Sequence, residues 1–119
     1  MIYRLLALCR FCIKGVIVSN FLKDIQRIIR TKCDCEPIEG AVVSGHGGII
    51  PDNLIGKPVC FGDIREYFDY EYYDGFGGAE CHAIYLYTQN FIVFVSEYDG
   101  ATGVDCIPRN PIECTPKYL

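Results

Sequence analysis

The densest apolar material lies in the last third of the chain. The runs HAIYLYT (82–88) and FIVFVSE (91–97) are rich in aromatic and β-branched residues, with two polar residues between them, which is typical of an antiparallel hairpin. A second turn signal stands at Asp99-Gly100, and VDCIP (104–108) can then add a third strand. The pattern predicts a C-terminal three-stranded meander that other elements cover.

Apolar residues recur at helical spacing in two N-terminal segments. Ser19 or Asn20 can cap the second helix, whereas Gly15 and the β-branched residues near it leave residues 13–19 open between helix and strand. The first apolar stripe consists of Ile2, Leu5, Leu6, Cys9, Cys12, Ile13 and Val16, with Arg4, Ala7, Arg10 and Lys14 elsewhere on the helix; the second consists of Phe21, Leu22, Ile25, Ile28 and Ile29.

Glycine and proline punctuate residues 33–57, which we expect to be loop with a strand at GAVVS (40–44). KPVCF (57–61) fits an edge strand, and DIREYFDYEYY (63–73) fits a short helix. The predicted fold class is α+β, in one domain spanning residues 1–119. Two N-terminal helices and one short central helix pack on a small antiparallel sheet of three to five strands, which ends in the C-terminal meander.

Charge is distributed unevenly along the chain, whose formal net charge is −4. Residues 1–32 carry seven basic groups and one acid, whereas residues 66–108 carry eight acids and no Lys or Arg. This layout favours complementarity within the fold, and it also suits an acidic face that binds a basic protein partner. Nucleic-acid binding is disfavoured by the net charge, although the basic N-terminal helices keep it as an alternative.

Nothing in the sequence predicts a membrane or secretory segment. The apolar run Leu5–Cys9 is too short for a signal-peptide core, and no run approaches the roughly 18 residues of a membrane-spanning helix. We therefore expect an intracellular, soluble protein. Its small size, its cysteine use and its lack of a catalytic motif are also typical of products of viruses and mobile elements.

Eight cysteines are the strongest compositional anomaly, and three interpretations compete. Cys9, Cys12, Cys33 and Cys35 could bind one zinc ion, although the second pair is spaced more tightly than usual zinc ligands; the leading expectation is no cofactor. Disulfides are a second possibility, for example Cys106 with Cys114, or Cys35 with a cysteine of the sheet. The third is reduced, buried thiols that act as small apolar residues.

Candidate catalytic chemistry is weak. His46 lies in the glycine-rich SGHGG (44–48), where it could serve as an acid or base with a cysteine or a carboxylate, as in a small hydrolase or transferase. Cys81 and His82 are adjacent, but neighbours in a strand point to opposite faces, which makes them a poor nucleophile–base pair. The spacing of Cys9 and Cys12 matches a redox dithiol, although in the interior of a predicted helix rather than at its start.

The best predicted interaction surface is acidic and rich in tyrosine. Tyrosine offers amphipathic contact area, and exposed acids attract a basic partner. The leading function is therefore a small non-enzymatic binding or regulatory protein that acts through protein–protein contacts, and an exposed sheet edge makes a homodimer plausible. The predicted binding residues are Asp69, Tyr70, Glu71, Tyr72, Tyr73 and Asp74.

Overall fold

The computed structural model describes residues 18–75, 77–98 and 100–118. The described part contains two short α-helices, six strands and two 3-10 turns. In chain order these are β1 (Val18–Asn20), α1 (Phe21–Lys32), β2 (Gly40–Val43), the turn Asp52–Leu54, α2 (Phe61–Ile64), the turn Arg65–Phe68, β3 (Glu71–Tyr73), β4 (Ile84–Tyr87), β5 (Phe91–Tyr98) and β6 (Ala101–Pro108).

The strands form two antiparallel sheets, and the predicted arrangement of N-terminal helices on a sheet with a C-terminal meander is wrong. One sheet is the pair β1–β3, and the other has four strands in the order β2-β4-β5-β6. The described part is mostly sheet with two helices, which is α+β only in a broad sense. The predicted first helix lies outside the described residues. At the end of the ambiguous stretch 13–19, Val18 and Ser19 belong to strand β1 (Val18–Asn20).

A local preference in the central segment explains part of the difference. The segment 63–73 does not continue as a helix, because its tyrosine-rich end favours a pleated strand; α2 has four residues, the 3-10 turn follows, and Glu71–Tyr73 pairs with β1. Farther back in the chain, β2 pairs along its whole length with β4. KPVCF contributes only an isolated bridge between Val59 and Ala41.

Helix α1 begins and ends where its sequence directs. The Asn20 side chain accepts a hydrogen bond from the Lys23 backbone N–H (2.9 Å). Of the two predicted caps, Ser19 and Asn20, it is therefore Asn20 that caps the helix. At the other end, the backbone N–H groups of Cys33 and Cys35 both donate to the Ile29 carbonyl. With 12 residues it is the longest described helix, and no helix in the described ranges is long and apolar enough to cross a bilayer.

The hydrophobic core lies between α1 and one face of the four-stranded sheet. Ala41, Leu86, Val93 and Cys106 are consecutive partners across its four strands and are all buried. Phe21, Ile25 and Ile28 from α1 and Ile64 and Phe68 from the central segment complete this layer. Burying these side chains contributes the main stabilisation, on the order of 1.5–3 kcal/mol for each large one.

Candidate functional site

The four-stranded sheet carries apolar side chains on both faces. While Val93 faces the core, its neighbours Ile92 and Phe94 project to the opposite side, because successive strand residues alternate. Phe94 pairs with Tyr85 and Ile92 pairs with Tyr87. We call the surface formed by Val42, Tyr85, Tyr87, Ile92, Phe94 and Ile107 the open face.

A broad groove of about 910 Å³ runs over the open face. The loops after β2 form its rim through Ser44, Gly45 and Ile55, and Ser96 and Glu97 lie at the end of β5. Glu97 borders the groove at the end of β5, but it alternates with Ser96 and shares the face of Val93, so its side chain points away from the open face, beside buried Thr102 and near Cys81. Tyr85 is 57% exposed, so a large aromatic side chain faces solvent in the middle of this apolar surface.

This arrangement is suited to binding rather than to chemistry. A concave, mostly apolar surface with a few polar groups at its margin is the usual form of a ligand site, and continuous apolar surface on a protein commonly marks a partner site. Tyr85 and Tyr87 combine an apolar ring with a hydroxyl group, so the ring can contact a partner and the hydroxyl can bind water when no partner is present. On this side of the sheet, the Asp105 carboxylate opposite Phe94 is already paired with Lys32 (3.5 Å) and Lys117 (2.9 Å) at the sheet edge.

Sequence reasoning missed this site because it predicted that other elements cover the C-terminal meander. The signal was present in FIVFV (91–95), which is apolar at both odd and even positions. An antiparallel strand with one solvated face normally alternates between apolar and polar residues, and a continuous apolar run indicates a strand that is covered on both faces.

The predicted binding stretch 69–74 is divided between surface and interior. Tyr72 is buried and donates a hydrogen bond to Asp24 Oδ2 (2.7 Å), and burial with the nearby Asp24 carboxylate raises the pKa of the Tyr72 hydroxyl. Tyr70 is half-buried against Phe21. On the outside, Asp69 and Glu71 are exposed, and half-buried Tyr73 and Asp74 stand between the two groups. Partner binding by this stretch stays a prediction.

The two histidines lie together, around Tyr70. The rings of His46 and His82 have their centroids 5.3 Å apart, and the His46 ring stacks on Tyr70 at 6.3 Å. His82 is fully buried; its backbone N–H donates to Tyr70 Oη (3.0 Å), and its Nδ1 lies 2.7 Å from the same oxygen. Burial, with a smaller contribution from His46, lowers the pKa of His82 to about 4. A neutral imidazole therefore fills this part of the core at neutral pH.

The surroundings of Cys81 do not activate its thiol, and a catalytic role for Cys81, His46 or His82 stays a prediction. Its thiol is surrounded by the acids Asp24 and Glu97 rather than by cationic groups, and burial together with those acids raises the pKa of the thiol to about 12. A thiol that stays protonated at neutral pH is a poor nucleophile. The geometry thus offers His46 and His82 no thiolate at position 81, and Cys60 is exposed at the start of α2.

The other cysteines fall into buried and exposed groups. Cys33 is buried beside Cys106 between α1 and β6, and burial with the Cys106 thiol raises the pKa of Cys33 to about 12. Cys35, two residues later, is exposed. No disulfide joins any of the cysteines that the structure describes, so both suggested bridges are without support. The described cysteines are Cys33, Cys35, Cys60, Cys81, Cys106 and Cys114.

The predicted zinc site cannot be assembled from the described residues alone. In ranges 18–75, 77–98 and 100–118, no three His, Cys, Asp or Glu side chains are grouped as metal ligands. Cys9 and Cys12 lie outside these ranges, so the zinc prediction that joins them to Cys33 and Cys35 stays a prediction.

Basic residues of α1 form an exposed row, as the alternative of nucleic-acid binding requires. Arg27 pairs with Asp24 on the same helix (3.4 Å), Lys32 pairs with Asp105, and Lys23 and Arg30 are exposed. Exposed ion pairs of this kind contribute little to stability. The edge-paired homodimer likewise stays a prediction.

No known family model matches this sequence, and no curated protein and no solved structure is significantly similar to it.

Proposed function

We propose that this protein is a small non-enzymatic binding protein that holds an apolar polypeptide segment on the open face of its four-stranded sheet. The observation that carries this proposal is the apolar groove over Tyr85, Tyr87, Ile92 and Phe94. A binding function is also what the sequence favours, but here the proposed binding surface is the open face of the sheet instead of residues 69–74.

Three features of the groove support a polypeptide as the partner. Its length follows β4 and β5, so an extended contact is available rather than a closed cavity. Tyrosine, which lies at its centre, is one of the residue types that are enriched where proteins anchor their partners. The apolar surface is continuous across strands, since Val42 pairs with Tyr85 and Tyr85 pairs with Phe94, and such a surface suits the apolar side of a polypeptide.

Binding of a defined peptide tests the proposal. The probe is a synthetic helical peptide of about five turns, made of leucine and lysine at amphipathic spacing, with a scrambled peptide of the same composition as the control. We expect the full-length chain to bind the amphipathic peptide in a calorimetric titration and to bind the scrambled peptide at least about tenfold more weakly.

Two matched substitutions then locate the site. Tyr85→Lys places a charge in the groove, whereas Tyr98→Lys makes the same change at a side chain that is 83% exposed and lies outside it. The first should weaken peptide binding at least about tenfold, and the second by less than about twofold. Equal affinities in the two variants would refute the assignment of the site.

A further inference from the structure

The strands of the main sheet are built to be covered on both faces. In β5, Val93 is fully buried against the α1 layer, while Ile92 and Phe94 on the other side are as apolar as their core neighbours. An antiparallel sheet that leaves one face in water usually places polar residues there. The composition of β5 therefore calls for a second layer on the open face.

The described residues provide that layer on one side only. Helix α1 packs against the face that carries Val93 and Cys106. Over the open face, Ile55 and Gly56 reach the rim of the groove, and the centre around Tyr85 remains exposed.

The N-terminal segment (residues 1–17) has the composition of the layer that this face requires. Its apolar residues, among them Leu5, Leu6 and Ile13, recur at helical spacing. All three of its charged side chains are basic and lie off that stripe. A helix formed by the segment would thus offer an apolar side that is complementary to the groove and would leave its charges to solvent.

The length of the N-terminal segment and the point where it joins the described part also fit the groove. As a helix, the N-terminal segment would span about 26 Å, which equals the roughly 26 Å of an eight-residue strand such as β5. The chain enters the described part at Val18, which pairs with Tyr73. The next carbonyl, that of Asp74, accepts a hydrogen bond from the Thr102 N–H (3.0 Å), and Thr102 pairs with Glu97. The segment therefore starts from the end of the sheet where Glu97 lies.

We propose that the N-terminal segment docks in the groove of its own chain as an amphipathic helix, with its apolar stripe on Tyr85, Phe94 and Ile92 and its basic residues toward solvent. This inference rests on the proposed function, because it makes the segment an intramolecular competitor of the partner. A tethered competitor acts at an effective concentration on the order of millimolar, so it sets a threshold affinity that a partner must exceed.

Peptide binding in trans tests the inference on the full-length chain. The probe is a fluorescently labelled synthetic peptide of residues 1–17, followed by anisotropy. Leu6→Glu disrupts the apolar stripe, and Ala7→Glu makes the same charge change on the other side of the predicted helix. We expect the Leu6→Glu chain to bind the peptide at least about tenfold more tightly than the wild type, while the Ala7→Glu chain stays within about twofold of the wild type.

Three results would overturn the inference, and they separate it from the proposed function. Equal peptide affinity in all three chains, with binding still lost in Tyr85→Lys, would remove self-occupancy and keep the groove as a binding site. Loss of all Tyr85-dependent binding, even in the Leu6→Glu chain, would remove the proposed function as well. Sedimentation of the wild type as a dimer, and of Leu6→Glu as a monomer, would place the segment on a second copy instead.

Discussion

Burial of the His82 imidazole makes the fold sensitive to acid. The side chain is fully buried, and its pKa is lowered from 6.5 to about 4, first by burial and then by the neighbouring His46. In the unfolded chain the imidazole regains its ordinary pKa and binds a proton more readily than in the fold. The contribution of His82 to stability is therefore fully present above pH 6.5 and is lost as the pH falls toward 4.

The size of the effect follows from the difference between the two pKa values. A shift from 6.5 to about 4 corresponds to about 3 kcal/mol of unfolding free energy, lost at no more than about 1.4 kcal/mol per pH unit. Because domains of this size are stable by roughly 5–15 kcal/mol, the protonation of one residue removes a large fraction of the total.

Urea unfolding of the wild type and of His82→Asn, measured between pH 7 and about pH 4.5, isolates this contribution. Asparagine does not titrate, and its side chain can place a polar atom near the position of Nδ1, within reach of Tyr70 Oη. We expect the wild type to lose about 2.5 kcal/mol more than the variant over this range. Carboxylates titrate in both proteins, so their effects cancel in the difference.

Parallel stability curves for the two proteins would refute the reasoning. A further variant, His46→Ala, separates the two causes of the shift. Because burial is the larger cause, this variant should retain most of the loss of stability in acid. If the loss disappeared with His46, repulsion between the two imidazoles would be the main effect instead.

Three other predictions concern the α1 layer. Asn20→Ala should lower the unfolding free energy by about 1 kcal/mol, because it removes the helix cap, whereas Asn20→Ser should recover most of it in the same thermal melt. Tyr72→Phe should cost about 1–2 kcal/mol in urea unfolding, because the buried hydroxyl donates to Asp24; a neutral effect would show that the hydrogen bond adds nothing. Native thiol labelling should leave Cys33, buried beside Cys106, unmodified while exposed thiols react, and rapid labelling of all thiols would contradict the packing.

Local sequence patterns predicted the helix and the hairpin strands, because the contacts that define these elements join residues close together in the sequence. The stripe Phe21 to Ile29 matches α1, and the runs 82–88 and 91–97 contain or overlap β4 and β5. Short hairpin connections and helical periodicity act within a few residues, so they are visible in a window of sequence.

Long-range pairing was not predictable in the same way. Strand β1 pairs with β3, and Ser19 lies opposite Tyr72 although 53 positions separate them in the sequence. That pairing turns Tyr72 inward, toward Asp24, and removes it from the surface on which the sequence had placed it. Alternation along a strand indicates two faces, but only the partner strands decide which of them is buried.

The affinity of the N-terminal segment for the groove would determine which partners the open face can bind. If the N-terminal segment binds the groove in trans with a Kd of about 100 μM, a tether that supplies about 1 mM effective concentration keeps the groove roughly 90% occupied. An external partner then loses about tenfold in apparent affinity, which it can recover with one additional well-packed aromatic contact of about 1.4 kcal/mol. Such a contact is available at Tyr85, the most exposed aromatic side chain of the groove. The groove would therefore favour partners that bring an aromatic or long aliphatic side chain to Tyr85, and the N-terminal segment would exclude partners that offer only a weak amphipathic stripe.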